Sequence, residues 1–373
     1  MAYPTVSRDS NLDLVDWVEG YLASHGIMVH RHWNDERTKA AIFAQVGPMV
    51  AGGVVLSGHS DVVPVDGQAW SRDPWTVVEQ DGRLYGRGTC DMKGFDALAI
   101  WAMVEAQRQG VRRPLQLALS YDEELGCWGA PPMIAAMGLS LPKATCVIVG
   151  EPSMMRVVNG HKGGASFGVH VCGHEVHSSI MHTGVNAIMT GARLIDWANR
   201  MNTENAAAVP SALAAQFAPP WTTVHVGIIS GGTAENITAK DCWFGLGFRV
   251  VPGEDPEAWV SRFLAEVAAL DAEIKAVHSD AGIDILREFD VPPLRPETGG
   301  SAEALVRRLT GDNGTSVVSY GTEAGQFHDS GYSAVVCGPG DIAQAHQPDE
   351  YLEVAQFNAG HAFMRRLIKD LQA

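Results

Sequence analysis

The sequence predicts an α/β fold with a mainly parallel sheet and a second domain inserted into it. Short apolar runs alternate with helical patterns before about residue 160, in residues 51–56, 92–109, 115–120 and 144–149. The same alternation returns near the end of the chain, with an apolar run at 333–337 and a helical pattern at 354–371. Strands that alternate with helices are typical of a parallel sheet covered by helices.

The middle of the chain has a different order of elements. Its strand-like runs are residues 165–172, 222–229, 242–250 and 283–289, and its helical patterns are residues 186–201 and 256–270. Taken in order, they form βαββαβ, which is the ferredoxin-like split unit. We therefore expect one domain formed by residues 1–161 and 291–373, with an inserted domain formed by residues 162–290.

Composition indicates a folded globular protein and argues against two classes of partner. Hydrophobic residues make up 46% of the 373 residues and charged residues 19%, which is enough to build a large core. The formal net charge of -16 argues against nucleic acid and anionic membranes, because Lys and Arg supply the general part of such binding. No apolar stretch approaches the ~20 residues of a membrane span. Residues 1–12 show no secretory signal, so we expect a cytoplasmic protein.

The cysteines do not suggest a metal site. The six of them are scattered along the chain and contain no Cys-x-x-Cys pair, as in a protein with reduced thiols. Any metal ion must therefore be held by histidines and carboxylates.

Histidine and acidic side chains follow four of the predicted strands. The four are His59, Glu124, Glu151 and His346, and each comes after an apolar run. In open α/β sheets, ligands bind at the carboxyl edge of the strands. The four side chains are therefore expected to meet at one edge.

Asp91 is a fifth acidic residue of interest, and it lies in the glycine-rich stretch 86–94 (GRGTCDMKG) before a predicted helix. A carboxylate at this point could be held by the helix N-terminal amides, or it could bridge two cations. The glycines allow the backbone to approach its neighbours closely. Several carboxylates in one site repel each other unless cations are present, so the five residues together predict a metal cluster.

A rival motif favours a serine hydrolase. Residues 164–168 (GASFG) fit the Gly-x-Ser-x-Gly nucleophile pattern, which requires a strand before it and a helix after it. Here a strand-like run follows the serine, so the pattern does not favour that mechanism. The sequence also contains no complete dinucleotide-binding glycine fingerprint and no phosphate loop.

These motifs resemble those of the M20 metallopeptidase family. The matching stretches are 57–64 (SGHSDVVP), 86–94, Glu123 with Glu124, 150–153 (GEPS) and 345–348 (AHQP). The resemblance covers nearly the whole chain. Three narrower stretches are most similar to the acetylornithine deacetylase branch of the family: 64–68 (PVDGQ), 120–127 (SYDEELGC) and 159–163 (NGHKG).

The resemblance implies two divalent metal ions, with zinc favoured and cobalt or manganese as alternatives. His59 and Glu151 would hold one ion, Glu124 and His346 the other, and Asp91 would bridge them. Residues 1–161 and 291–373 would then form the metal-binding catalytic domain. The inserted domain would serve dimerisation and act as a lid.

The resemblance also implies roles for residues around the metals. Glu123 would be the general base of catalysis, and Asp61 would orient His59 from behind, as is usual for metal-binding histidines. The family has a cis peptide bond after the bridging aspartate, which here is the bond between Asp91 and Met92.

Three residues of the inserted domain are candidates for contact with substrate. By resemblance, His177 would stabilise the oxyanion from a partner subunit, which implies a homodimer, although alone it would be an ordinary surface histidine. Arg249 would bind the α-carboxylate of a small N-acyl amino acid, with a surface salt bridge as the alternative. Asn236 and the loop 321–325 (GTEAG) are further candidates for substrate binding.

The resemblance therefore predicts a metal-dependent amide hydrolase. The expected reaction is hydrolysis of N2-acetyl-L-ornithine to L-ornithine and acetate in arginine biosynthesis. Succinyl-diaminopimelate desuccinylase, aminoacylase and carboxypeptidase activities remain as alternatives, since such enzymes share the metal chemistry.

Overall fold

The computed structural model describes residues 1–314 and 316–373, which form two compact units. The first unit consists of Met1–Gly160, Leu294–Val317 and Thr322–Ala373, and the second of His161–Pro293 and Val318–Gly321. The second unit therefore interrupts the first in the sequence.

The regular elements are numbered in chain order. The helices are α1 (Leu12–Ser24), α2 (Lys93–Gln109), α3 (Ala130–Ser140), α4 (Ala187–Ala207), α5 (Pro256–Val277), α6 (Ser301–Thr310), α7 (Ala324–Asp329) and α8 (Val354–Gln372). The strands are β1 (Val29–Trp33), β2 (Ala40–Val46), β3 (Val54–His59), β4 (Val78–Gln80), β5 (Arg83–Tyr85), β6 (Leu115–Ser120), β7 (Cys146–Pro152), β8 (Val158–His161), β9 (Gly163–Cys172), β10 (Thr223–Gly231), β11 (Asp241–Val250), β12 (Gly282–Val291), β13 (Ser316–Val318), β14 (Ser333–Gly338) and β15 (Tyr351–Glu353).

The first unit is built on an eight-stranded sheet with the order β1-β2-β6-β3-β7-β14-β8-β13. Its central strands β6, β3, β7 and β14 are parallel to one another, while β2 pairs antiparallel with β6 and with β1. Strands β3, β6 and β7 are buried along their whole length, as is usual for parallel strands covered on both faces. The predicted α/β fold with a mainly parallel sheet is confirmed.

Helices α2 and α8 supply much of the core of this unit. Phe95 and Leu98 of α2, together with Phe363 and Leu367 of α8, are buried in the same apolar cluster as the central strands. On each helix, the residues that contribute to this core are spaced three or four positions apart, which is the pattern of one buried helical face.

The second unit contains an antiparallel sheet with the order β10-β11-β9-β12. With α4 and α5 placed between the strands in the chain, this is the βαββαβ order predicted from the sequence. Its core includes Phe167, Trp197, Phe248 and Phe263, with ring centroids 5.4–6.4 Å apart. A role of this unit in dimerisation stays a prediction.

Several elements are additions to the predicted pattern, among them α1, α3 and the three-stranded sheet with the order β15-β5-β4. Strand β15 pairs with β5, so the chain directly after His346 joins the segment directly before the loop of Asp91. Among the described residues, no helix combines the length and the apolar character needed to cross a membrane.

Candidate metal centre

Three neighbouring parallel strands bring the first candidate ligands together. His59 is the last residue of β3, and Glu151 is the penultimate residue of β7, the adjacent strand. On the other side of β3, β6 ends at Ser120 and leads into the turn that carries Glu123 and Glu124. Because the strands are parallel, their carboxyl ends meet at one edge of the sheet, as predicted.

Asp91 lies between two histidines. Its Oδ1 is 3.0 Å from His59 Nε2, and its Oδ2 is 3.2 Å from His346 Nε2. Each histidine also has a second carboxylate nearby. His59 Nε2 lies 3.6 Å from Glu151 Oε1, and His346 Nε2 lies 3.0 Å from Glu124 Oε2. The arrangement is that of two His–carboxylate pairs that share one aspartate. The Asp91–Met92 peptide bond is cis, as the family resemblance implied.

Glycine at position 94 is required for the approach of the Asp91 loop to α2. A Cβ atom on Gly94 would lie 2.3 Å from the carbonyl oxygen of Thr89, in the same loop. Such a distance is not reached by real Cβ atoms, so a larger residue here would displace the loop and with it Asp91.

Glu123 lies on the His59 side of the cluster. Its Oε2 is 4.0 Å from His59 Nε2, and its Oε1 accepts a hydrogen bond from the Cys127 thiol at 3.3 Å. Ligand atoms of His59, Glu123 and Glu151 all lie within 4.8 Å of one another, as do those of His59, Asp91 and Glu124. By distance alone, Glu123 could therefore serve as a ligand or as a base.

Asp61 was expected to orient His59 through its carboxylate, but its backbone carbonyl is closer to that histidine. The closest partner of His59 Nδ1 is the backbone carbonyl of Asp61 at 3.0 Å, whereas the Asp61 carboxylate lies 3.6 Å away. That carboxylate accepts hydrogen bonds from the backbone N–H groups of Glu123 and Glu124, at 3.1 and 3.3 Å, and from Ser7 Oγ at 2.7 Å. Asp61 thus positions the Glu123–Glu124 turn as well as His59.

Burial and mutual repulsion shift the pKa values of the cluster. Burial raises the pKa of Glu123 to about 8, and the charges of Glu124 and Asp91 add to this effect. Burial likewise raises the pKa of Glu151 well above its usual value. Although burial opposes it, hydrogen bonds from His346 and His59 lower the pKa of Asp91.

This donor set fits divalent cations. Burial raises the pKa of Glu123, Glu124 and Glu151, and a bound cation would favour their charged forms, since ligands bind metals in their deprotonated forms. Imidazole nitrogens with carboxylate oxygens suit zinc, cobalt or manganese. The residues present therefore fit a metal centre, and they do so with side chains of the first unit alone.

The remaining candidates lie in the second unit, at opposite ends of its sheet. His177 and Asn236 are neighbours, because the N–H of Ser178 donates to the Asn236 carbonyl at 2.9 Å and His177 forms a β-bridge with Ile237. His177 is exposed, and its Nδ1 contacts Ser179 Oγ at 2.8 Å.

Arg249 is at the far end of the same sheet. It is the penultimate residue of β11 and pairs with Gly164 of β9, whereas the segment that carries His177 follows the other end of β9. Arg249 lines a cleft of about 1150 Å³ within the second unit, together with Trp221 and Phe289.

The serine-nucleophile motif is not organised for catalysis. Strand β9 runs through the whole motif, so no strand-to-turn-to-helix geometry presents Ser166. Ser166 Oγ donates a hydrogen bond to Glu288 Oε2 at 2.9 Å. The structure thus agrees with the expectation that this motif is part of a strand.

Two buried acids lie near the site, and the sequence pattern missed the first of them, Glu350. Glu350 accepts hydrogen bonds from backbone N–H groups of the Asp91 loop and from Arg87. The second, Glu323, lies in the loop 321–325 named as a substrate-binding candidate, and it is buried and accepts hydrogen bonds from Ser57 and Ser120. In the sequence, the only indication of a role for Glu350 is its position four residues after His346. That position becomes informative only when the folded structure shows the loops of Asp91 and His346 side by side.

Comparisons with known proteins identify the family. The sequence matches the profile of peptidase family M20/M25/M40 over residues 55–370. It is 34% identical to acetylornithine deacetylase of Myxococcus xanthus, with 99% of this chain and 94% of the relative covered. It is 33% identical to acetylornithine deacetylase of Edwardsiella ictaluri, with 94% of this chain and 90% of the relative covered.

Solved structures share the fold. One is an M20 family metallo-carboxypeptidase from Sulfolobus solfataricus, with a TM-score of 0.79 at 17% identity, covering 99% of this chain and 96% of that one. Another is a Bacillus subtilis protein described as a dinuclear metal binding peptidase of family M20, with a TM-score of 0.63 at 13% identity, covering 99% and 94%.

The fold and the site define a metal-dependent amide hydrolase. The chain belongs to peptidase family M20/M25/M40.

Proposed function

We propose that this protein hydrolyses N2-acetyl-L-ornithine to L-ornithine and acetate with two divalent metal ions, as a cytoplasmic step of arginine biosynthesis. The observation that carries the metal chemistry is Asp91, whose two oxygens face two separate His–carboxylate pairs. The substrate is supported by relatives named acetylornithine deacetylase at 33–34% identity over almost the whole chain.

The distances between side chains divide the proposed metal ligands into two groups, one for each ion. His59 and Glu151 would hold one ion, Glu124 and His346 the second, and Asp91 would bridge them. When bound, such a pair of ions polarises the amide carbonyl and lowers the pKa of a water molecule. Zinc is the favoured metal, with cobalt or manganese as alternatives.

Glu123 is the proposed general base. Its Oε1 accepts from the Cys127 thiol, whereas Oε2 points towards His59, so Oε2 is the atom that would take a proton from the attacking water. In its deprotonated form this carboxylate can accept that proton and then give it to the departing amine. Asp61 supports this role because its carboxylate accepts from the backbone N–H of Glu123.

Arg249 is the proposed site for the substrate α-carboxylate. A guanidinium suits this group because it can form two parallel hydrogen bonds to a carboxylate. Its position in a cleft bordered by Trp221 and Phe289 supports the assignment. The neighbouring Gly164 leaves room for the arginine, since a Cβ there would lie 3.3 Å from Arg249 Nη1. Asn236 is proposed as a further substrate contact.

A homodimer is supported by the distance between the two ends of the inserted sheet. Arg249 pairs with Gly164, near the start of β9, whereas the segment of His177 follows Cys172, at its end. The eight residue steps between these two positions span about 26 Å at the rise of a β-strand. One inserted domain therefore cannot bring both side chains to one small substrate. We assign Arg249 to the chain that holds the metals and His177, as the oxyanion donor, to a second copy.

A panel of substrates tests the proposal. The metal-loaded protein would be assayed for kcat/KM with N2-acetyl-L-ornithine, N-acetylmethionine, N-succinyl-diaminopimelate and a dipeptide. We expect acetylornithine to be turned over most efficiently. If N-acetylmethionine is hydrolysed equally well, the substrate assignment is wrong and an aminoacylase is favoured. A preference for the succinylated substrate or the dipeptide would instead indicate the desuccinylase or the carboxypeptidase.

A further inference from the structure

Glu350 is a buried carboxylate whose hydrogen bonds converge on one ligand loop. It is 1% exposed. Its Oε1 accepts from the backbone N–H groups of Cys90 at 2.8 Å and Asp91 at 3.1 Å. Its Oε2 accepts from the N–H of Gly88 at 3.0 Å and from Arg87 Nη1 at 2.7 Å. The loop that carries Asp91 is thus folded around a single carboxylate.

Arg87 extends these contacts to a second loop. Its guanidinium is 1% exposed, and Nη2 donates to Gln68 Oε1 at 2.5 Å. The ring of Trp70 covers it at 5.0 Å. Because Arg87 lies in the same glycine-rich stretch as Asp91, it links that stretch to the segment that follows β3.

Gln68 completes the connection to His346. Its Nε2 donates to the backbone carbonyl of His346 at 2.9 Å. His346 has a φ of 61°, a left-handed conformation that non-glycine residues adopt at a cost, so its backbone needs external support. Gln68 supplies one support, and Glu350, four residues further along the chain, anchors the other end of the same loop.

We propose that Glu350, Arg87 and Gln68 form a positioning network that holds the loops of Asp91 and His346 in register and so sets the affinity of the metal on the His346 side. The inference rests on the proposed function, in which Asp91 and His346 are ligands. None of the three residues needs to touch substrate or reacting atoms, so they are positioning residues. The network also gives a physical reason for glutamine in the stretch 64–68.

The network demands a carboxylate at position 350. Glu350 is the acceptor in all four of its hydrogen bonds, and each of its two oxygens accepts two of them. In Glu350→Gln, an amide NH2 group replaces one of the two oxygens. This group can only donate, so two of the four donors would lose their acceptor. Contacts behind metal ligands are commonly worth 10–100-fold in metal affinity.

The experiment is a titration of metal-free protein with Co²⁺, followed by visible absorption and calorimetry. We expect wild type to bind two ions. In Glu350→Gln, one binding step should weaken by about 10–100-fold while the other changes less. Turnover should be restored by excess Co²⁺ with KM unchanged, which a general loss of structure would not allow. Glu353→Gln, three residues away at the end of β15, is the matched control and should bind like wild type.

Gln68→Ala provides a second, milder variant in case Glu350→Gln does not fold. Gln68 is only half-buried, and its removal breaks the link to His346 while leaving the Glu350 contacts in place. We expect the same single step to weaken. If Gln68→Ala and a folded Glu350→Gln both bind Co²⁺ like Glu353→Gln, the network has no positioning role. If wild type itself binds no Co²⁺ at these ligands, the proposed function fails instead.

Discussion

Glu123 and Glu124 are adjacent in the chain, yet their carboxylates have different surroundings. Glu124 contacts the half-exposed His346, whereas Glu123 lies beside the fully buried His59 and the Cys127 thiol. Both backbone N–H groups donate to the carboxylate of Asp61, which fixes the turn so that the side chains diverge. A single turn can therefore supply a ligand and a base.

Glu123→Gln tests this division at the level of one atom. The substitution keeps size and hydrogen-bonding capacity but removes the ability to take up a proton. We expect kcat to fall by at least about 100-fold, the contribution typical of general base catalysis, with metal content unchanged. Steady-state kinetics and metal analysis would show this, with Glu79→Gln on the exposed strand β4 as the control. Near wild-type turnover would show that Glu123 is not the base.

Asp96 is a further buried acid, and it has no evident ligand role. It is 5% exposed, and neither carboxylate oxygen has a hydrogen-bond partner. Burial raises its pKa from 3.8 to about 8, with the charges of His59 and Lys93 opposing and those of Glu323 and Asp61 adding to the shift. The folded state thus binds a proton that the unfolded state releases, and stability decreases as pH rises between these two values.

The stability of Asp96→Asn relative to wild type should therefore increase as pH rises. The difference in free energy of unfolding is expected to move in favour of the variant by about 1–3 kcal/mol between pH 5 and pH 8. Denaturant unfolding with a chelator present would measure it. Asp13→Asn, on the exposed side of α1, controls for the loss of an acid. A difference that stays constant with pH would contradict the assigned shift.

At the scale of elements, the start of α2 determines where Asp91 lies. The helix begins at Lys93, directly after the cis peptide bond, and Gly94 in its first turn passes close to the Thr89 carbonyl. Glycine generally weakens a helix, and here it is kept because no larger residue fits. The same type of residue is found in α1 at Gly20, where a Cβ would meet no atom within 4 Å.

These two glycines form a matched pair for substitution. Gly20→Ala should stabilise the protein by about 0.5–1 kcal/mol, since alanine favours the helix and nothing obstructs it. Gly94→Ala should destabilise the protein and weaken Co²⁺ binding, because the Asp91 loop must move. Denaturant unfolding and metal titration of both variants would test this. Equal effects at the two positions would show that the close approach at Gly94 is unimportant.

At the scale of the whole molecule, the proposed homodimer is the feature that remains to be tested. The ligands and Glu123 belong to the first unit, while His177 and Arg249 belong to the second. Since His177 and Arg249 lie at opposite ends of one sheet, we predict that a complete site requires a second chain.

A heterodimer of two inactive variants tests this requirement. One chain would carry His177→Ala and the other Glu123→Gln, with different affinity tags so that mixed dimers can be purified. Each mixed dimer contains one intact site, so about half of wild-type turnover is expected. The two pure variants serve as controls. Mixed dimers no more active than these would rule out a shared site, and a monomer in solution would rule out the homodimer.

The sequence by itself determined the fold class and the five candidate ligands. Alternating apolar runs predicted the strands, and ligands such as His59 and Glu151 were recognisable because parallel strands bring their carboxyl ends to one edge. Short-range features such as the glycines around Asp91 were also visible, since they depend on neighbouring residues only.

The tertiary structure decided the relations between distant segments. That the carboxylate of Asp61 holds the Glu123 turn, that Glu350 supports the Asp91 loop, and that Glu323 is buried all depend on residues far apart in the chain. A one-dimensional pattern records which side chains can donate, accept or ligate. Which of them meet is set by sheet order and loop packing, and these arise from the whole core.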